Sequence, residues 1–250
     1  MPDAPPLGSA ELPLPSGFAT THWSLVLSAG DKHDARVTEA MESLCRIYWP
    51  AVHSYIRRSG YDPESARDLT QEFFARLLEK DWLSTVDPAC GRFRAFLKTV
   101  VQRFLIDEHH RAHRLKRGGG RALVSLEELM AEETRPVALK DEWTADQEFD
   151  RRWALAVVER TFARLRSEAE LAGQGPLFAA VQGLLTDGTA SGPLAEIGAA
   201  HGLGLSAVKM RIHRWRARYR ELLLEEVANT VPSPADLHEE LRHLMQALAG

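Results

Sequence analysis

Apolar side chains recur three and four residues apart along most of the chain, and no stretch alternates apolar and polar positions with the β-branched enrichment of a strand. The pattern predicts an all-α protein. Residues 37–58 carry Met41, Leu44, Cys45, Tyr48, Val52 and Ile56 at helical spacing, with Pro50 expected to kink or divide the helix. Tyr61-Asp62-Pro63 reads as a start signal, Asp62 as N-cap and Pro63 in the first turn of a helix running to about Lys80. Its apolar stripe is Leu69, Phe73 and Leu77, with Phe74 and Leu78 alongside. After a loop at 87–92, Phe93, Phe96, Leu97, Val100, Val101, Phe104 and Leu105 form the most regular stripe of the chain. The opposite side of that helix holds Arg94, Lys98, Arg103, Arg111 and Arg114, which predicts one face for a core and one for phosphate.

Gly118 to Gly120 stop that helix, and periodicity returns only near Phe149, where a domain boundary is expected. Beyond it, Leu155, Val158, Phe162 and Leu165 predict a helix, Pro176 opens another, and residues 194–223 form a basic segment. There Ile197, Gly198, Gly202, Leu203 and Val208 have the spacing of a helix-turn-helix: apolar, small, turn glycine, and two apolar positions. The second helix of the motif is expected to bury Val208, Ile212, Trp215 and Tyr219 and to offer Lys209, Arg211, Arg214, Arg216 and Arg218 to nucleic acid. Past Pro232 and Pro234, Leu237, Leu241, Leu244 and Leu248 predict a short terminal helix, capped by Ser233, packing on the second domain and restraining it. The domain plan is an extension expected to be disordered at 1–22, a first domain at 23–117, an acidic linker at 118–150, a second domain at 151–228, and a C-terminal extension at 229–250.

Charge sharpens this plan. The net value of −4 hides strong segmentation. Residues 92–121 hold nine Lys/Arg against two acids, residues 207–220 hold six against none, and residues 124–150 hold nine acids against two bases. Two basic islands flank an acidic connector, which predicts contact with a polyanion at two places. Two cysteines, Cys45 and Cys90, are too few for a disulfide framework, and no secretory signal or membrane span is seen, so a cytoplasmic chain without membrane contact is expected. His109 and His113 have the spacing of a metal pair without an evident third ligand. Asp107-Glu108-His109 lacks any accompanying phosphate-binding loop, and no GxSxG elbow occurs. No enzyme, cofactor or metal is expected.

Three motifs then carry a specific resemblance. ARDLTQEFFARLL at 66–78, GRFRAFLKTVVQRFLIDEHHRAHR at 91–114 and VKMRIHRWRARYREL at 208–222 resemble, in order, segments of the extracytoplasmic-function (ECF) sigma factors of bacteria. These are the two-domain members of the sigma-70 family, which give core RNA polymerase its promoter specificity. The resemblance implies that Asp68, Leu69, Gln71, Glu72, Phe73 and Arg76 dock on the beta-prime clamp. It also implies that Arg92, Arg94, Lys98, Arg103, Asp107, His110, Arg111 and Arg114 serve the minus-ten element, although Phe93 and Phe96 read as core. The minus-thirty-five element falls to Ser206, Lys209, Arg211, His213, Arg214 and Arg218, with the second domain also on the beta flap. Partners implied are core polymerase and promoter DNA, with an anti-sigma factor or Ser/Thr kinase as candidate regulators. Arg67 stands where the family usually has an acid, which makes Thr70 a candidate phosphorylation site that would restore negative charge. The alternative reading is a helix-turn-helix regulator that binds duplex DNA without polymerase.

Overall fold

The computed structural model describes residues 35–79, 92–116, 143–186 and 194–249. The N-terminal extension, the loop as far as Gly91 and most of the acidic connector lie outside the described residues. The elements are α1 (Ala35–Arg58), α2 (Pro63–Glu79), α3 (Phe93–Lys116), α4 (Ala145–Leu171), α5 (Gly175–Val181), α6 (Gly183–Thr186), α7 (Leu194–Ala200), α8 (Leu205–Ala228), a 3-10 turn (Pro234–Asp236) and α9 (Leu237–Ala249). Every regular element among the described residues is helical.

Local chemistry accounts for the helix ends. Asp62 accepts hydrogen bonds through Oδ1 from the backbone N–H groups of Glu64 and Ser65, both at 3.0 Å, and so caps α2. Thr144 opens α4 with a capping box: its Oγ1 accepts from Gln147 N at 3.2 Å, while Thr144 N donates to Gln147 Oε1 at 2.8 Å. Pro50 does not divide α1, which runs unbroken around it. Pro50 and Arg46 are both exposed, and the helix continues despite the one backbone bond that Pro50 cannot donate.

Two apolar cores result. The first gathers Leu44, Tyr48, Ile56, Phe73, Leu77, Phe93, Leu97 and Phe104 from α1 to α3. Tyr48 is at its centre, edge-on to Phe93 at 5.0 Å and stacked on Trp153 of α4 at 6.3 Å. The second joins Leu165, Phe178, Val181, Leu194, Val208, Ile212, Trp215 and Leu222.

The boundary expected near Phe149 is not where the packing divides. Phe149, Trp153 and Val157 are fully buried in the first core, and α4 reaches the second through Leu165 and Ala169, with Phe162 packed alongside. Their four-residue spacing lays one stripe across Tyr48, so the end of the expected acidic linker, 145–150, is helix instead. Likewise α8 begins in the second core and ends in the first through Val227 and Ala228. The terminal helix α9 packs mainly on α4 and α8, helices of the expected second domain, but at the ends that close the first core, where Leu237 and Leu244 are buried with Trp153, Val157, Val227 and Ala228. A backbone bond from Phe93 N to Thr230 O at 3.2 Å ties the start of α3 to the turn before α9.

Candidate nucleic-acid interface

The outer side of α2 presents Asp68 and Gln71, and two turns beyond Gln71 Leu78 is 52% exposed. Leu69 is half-buried, and Phe73 faces the first core, edge-on to Phe74 and to Phe104, so its ring is not available to a docking partner. Glu72 and Arg76 form an ion pair along the helix, and Arg76 also reaches Glu108 of α3 at 2.8 Å. Arg111 joins the same group through Glu108 at 2.8 Å. Thr70 is fully buried, its Oγ1 donating to Ala66 O at 2.6 Å. The fold therefore does not present this hydroxyl to a kinase; threonine serves here as a small residue whose polar atom is satisfied within its own helix.

On α3 the structure separates residues that the sequence grouped together. Arg94 is buried and donates to both carboxylate oxygens of Glu240, at 3.1 and 3.2 Å, and to Asp150 at 3.0 Å. Burial opposes its charge, but the Glu240 and Asp150 carboxylates outweigh burial and hold its pKa above the ordinary guanidinium value. Lys98 pairs with Asp150 at 2.8 Å, and Arg92 with Glu239 at 2.5 Å and Glu240 at 3.3 Å. These three cations, expected to meet phosphate, meet carboxylates of α4 and α9 instead. The reason is geometric: α3 lies against α1 and α2 on one side and is covered by α4 and α9 on another. What remains outward is a narrower face with Arg103 and Asp107 exposed and His110 half-buried. The side chain of Arg114 lies outside the described residues. Phe93 and Phe96 are buried, as expected of core residues.

The turn between α7 and α8 is built on two glycines. Gly202 adopts φ 69°, and a Cβ on Gly198 would come within 2.6 Å of Leu203 O and 3.2 Å of Val208 Cγ2. Only a residue without a side chain permits that crossing. From it α8 buries Val208, Ile212 and Trp215 and exposes Ser206, Lys209, His213 and Arg214, with Arg211 half-buried. Arg218 departs from the expected row: it forms two bonds of 2.8 Å to Glu168 and one of 2.9 Å to Glu221, bonds that raise its pKa. Arg216 donates to the carbonyls of Leu184 and Leu185, at 2.7 and 3.2 Å. Both arginines fasten α8 to neighbouring helices.

Sequence reasoning missed the carboxylates that hold these cations. Glu226 and Glu240 are buried, Glu226 receiving Arg164 at 2.7 Å and Arg160 at 2.9 Å. A pair of adjacent acids in the first turn of an apolar helix, Glu239-Glu240, was the available signal. Among the described residues no group of three His, Cys, Asp or Glu side chains is placed to hold a metal ion, and no helix is long and apolar enough to cross a membrane.

The described residues thus define an all-helical protein with two cores and cationic side chains outward on α3 and α8. Residues 44–115 match the family model described as Sigma-70 region 2. The matched segment runs from within α1 through α2 to the last turn of α3, so this part of the chain is similar to sigma-70 region 2. No curated protein and no solved structure matches the chain.

Proposed function

We propose that this protein is a two-domain sigma factor of the ECF type, which directs core RNA polymerase to its own set of promoters. The observation that carries the reading beyond region 2 is α8: Lys209, His213 and Arg214 face outward opposite the buried Val208, Ile212 and Trp215, behind a tight glycine turn. Such a helix fits a major groove, with Ser206 and Lys209 near its N-terminal end and Arg214 on backbone phosphate. We assign the minus-thirty-five role to Ser206, Lys209, Arg211, His213 and Arg214, and a structural role to Arg218. In the minus-ten role, Arg103, Asp107 and His110 make the outer face of α3, whereas Arg92, Arg94 and Lys98 brace that helix from behind. Docking on the beta-prime clamp falls to Asp68 and Gln71, with Leu78 as an apolar contact that the motif alone did not single out.

Reconstitution with core polymerase and a library of promoter-length duplexes tests this reading. Specific transcripts that require the chain support it. Retention of duplex DNA by the chain alone, with no effect on polymerase, would instead favour the helix-turn-helix regulator. Within the reconstituted system, Arg214→Ala should weaken promoter binding and lower the salt slope by about one, as loss of a single phosphate contact does. Unchanged slope would remove Arg214 from the interface.

A further inference from the structure

A cleft of about 480 Å³ opens between the C-terminal half of α1 and the N-terminal part of α4, with no residue of α3 or α8 in its lining. His53, Arg57 and Arg58 line it from α1, and Glu148, Arg151 and Arg152 from α4. Four guanidiniums against one carboxylate give the lining a net positive charge, although Arg152 is paired with Glu148, its Nε donating to the carboxylate at 2.7 Å, and Arg58 is also engaged. Arg57 spends one N–H on Tyr61 O at 2.6 Å, and Arg151 lies over the Trp143 ring at 5.0 Å. A guanidinium has five donors, so neither contact exhausts its side chain, and each holds the head group in a defined place.

We infer that this cleft is a binding site for a small polyphosphate anion, of the size and charge of the phosphate chain of a nucleoside di- or triphosphate. Three features favour this class. Guanidiniums brought to one cleft from two helices repel one another, and a bound polyanion relieves that repulsion while forming charge-assisted bonds. The cleft is open to solvent but short, and its volume is within the range of small-molecule sites, which suits a compact anion. His53 reports the local field: burial, then Arg57 and Arg152, hold its pKa below the ordinary imidazole value. The inference stands apart from the promoter reading and needs neither polymerase nor DNA.

The full chain titrated with inorganic tripolyphosphate by calorimetry, at constant ionic strength, tests it directly, while the His53 ring is followed by NMR. Saturable binding at one site is expected, with the His53 pKa rising as the anion offsets its cationic neighbours. Arg57→Gln and Arg151→Gln should each weaken binding about tenfold, the loss of one strong charge-assisted contact. Arg57 also bonds a backbone carbonyl, so Arg151→Gln, whose contact named above is with a ring, guards against a folding artefact. Lys209→Gln on α8 should leave tripolyphosphate binding unchanged. GTP and ATP are then expected to compete for the same site. Non-saturable binding, equal weakening by Lys209→Gln, or a His53 pKa indifferent to the anion would overturn the assignment. So would binding of a single-stranded oligonucleotide through Arg57 and Arg151 without binding of tripolyphosphate, which would make the cleft part of a nucleic-acid path.

Discussion

Thr70 and Arg94 show how far burial alters what a side chain can do. Thr70 occupies a fully buried position with its hydroxyl already bonded, so a charge placed there would lie in the first core. Thr70→Glu should therefore destabilise the fold by at least about 3 kcal/mol, the scale of an unpaired buried charge, rather than tighten polymerase binding. Urea unfolding compared with Thr70→Val, expected to cost only about 1 kcal/mol for the lost hydrogen bond, checks this. His243 adds a dependence on pH. It sits 3.2 Å from Asp150, yet burial and then Arg94 lower its pKa, against the smaller pull of Asp150 and Glu240. A depressed imidazole pKa means that the unfolded chain binds the proton more readily. The corresponding stability is present above the unfolded value of 6.5 and is lost as pH falls from there through the folded value. His243→Gln should flatten the fall in urea midpoint between about pH 7.5 and 5.5, leaving the part that belongs to His53. An unaltered profile would show that His243 is not a source of this dependence.

Helices and their ends were the most legible part of the sequence. The stripe of α3 and the Asp62 cap are local signals, complete within a few residues, and the structure has both. The partners of Arg94 were not legible, because Glu240 lies 146 positions away and nothing local marks which cation it will meet. For the same reason a basic helix face read from sequence overstates what is open to DNA: charge is visible in the sequence, but the pairing of charges is a property of the packing. Helix α9 makes this testable. Deleting 232–250 removes Leu237 and Leu244 from the first core and leaves Arg94 without Glu240. Truncation should lower the melting temperature and expose α3 amides to exchange. Replacing only the pair, Arg94→Met with Glu240→Leu, should cost less than Arg94→Ala alone, for which up to about 3 kcal/mol is expected because the buried Glu240 carboxylate loses both Arg94 bonds and keeps only its longer contact with Arg92. Equal costs for the pair and the single substitution would mean that the packing, not the charge pairing, is what matters there.

For the molecule as a whole, the two cores share α4 and α8, so they are not independent in the way the domain plan implied. Region 2 was legible from its motifs, whereas the sharing was not, since a continuous helix gives the same periodicity whether one core or two lie along it. The fold should accordingly unfold in one transition. Fluorescence of a variant that keeps Trp153 as its sole tryptophan, the other five replaced by Phe, and of one that keeps only Trp215, is expected to give coincident urea midpoints once each is referred to its own circular-dichroism curve. Separate midpoints within either variant would return the protein to two autonomous domains.

The shared α4 has a consequence for how the chain tolerates change in length. A helix turns by about 100° for each residue, so the angle between the Phe149–Trp153–Val157 stripe and the Leu165–Ala169 stripe is set by a count of residues. One residue added between Val157 and Leu165 would swing one stripe roughly a quarter-turn out of phase with its core. Seven would bring the stripes back to within about 20° of their present alignment, at the cost of a helix lengthened by about 10 Å. In a chain whose cationic faces lie on α3, in the first core, and on the N-terminal half of α8, in the second, that count acts as a gear tooth: it fixes the heading of one face against the other. Length variation in this protein is therefore to be sought outside α4, where an added residue changes reach but not heading.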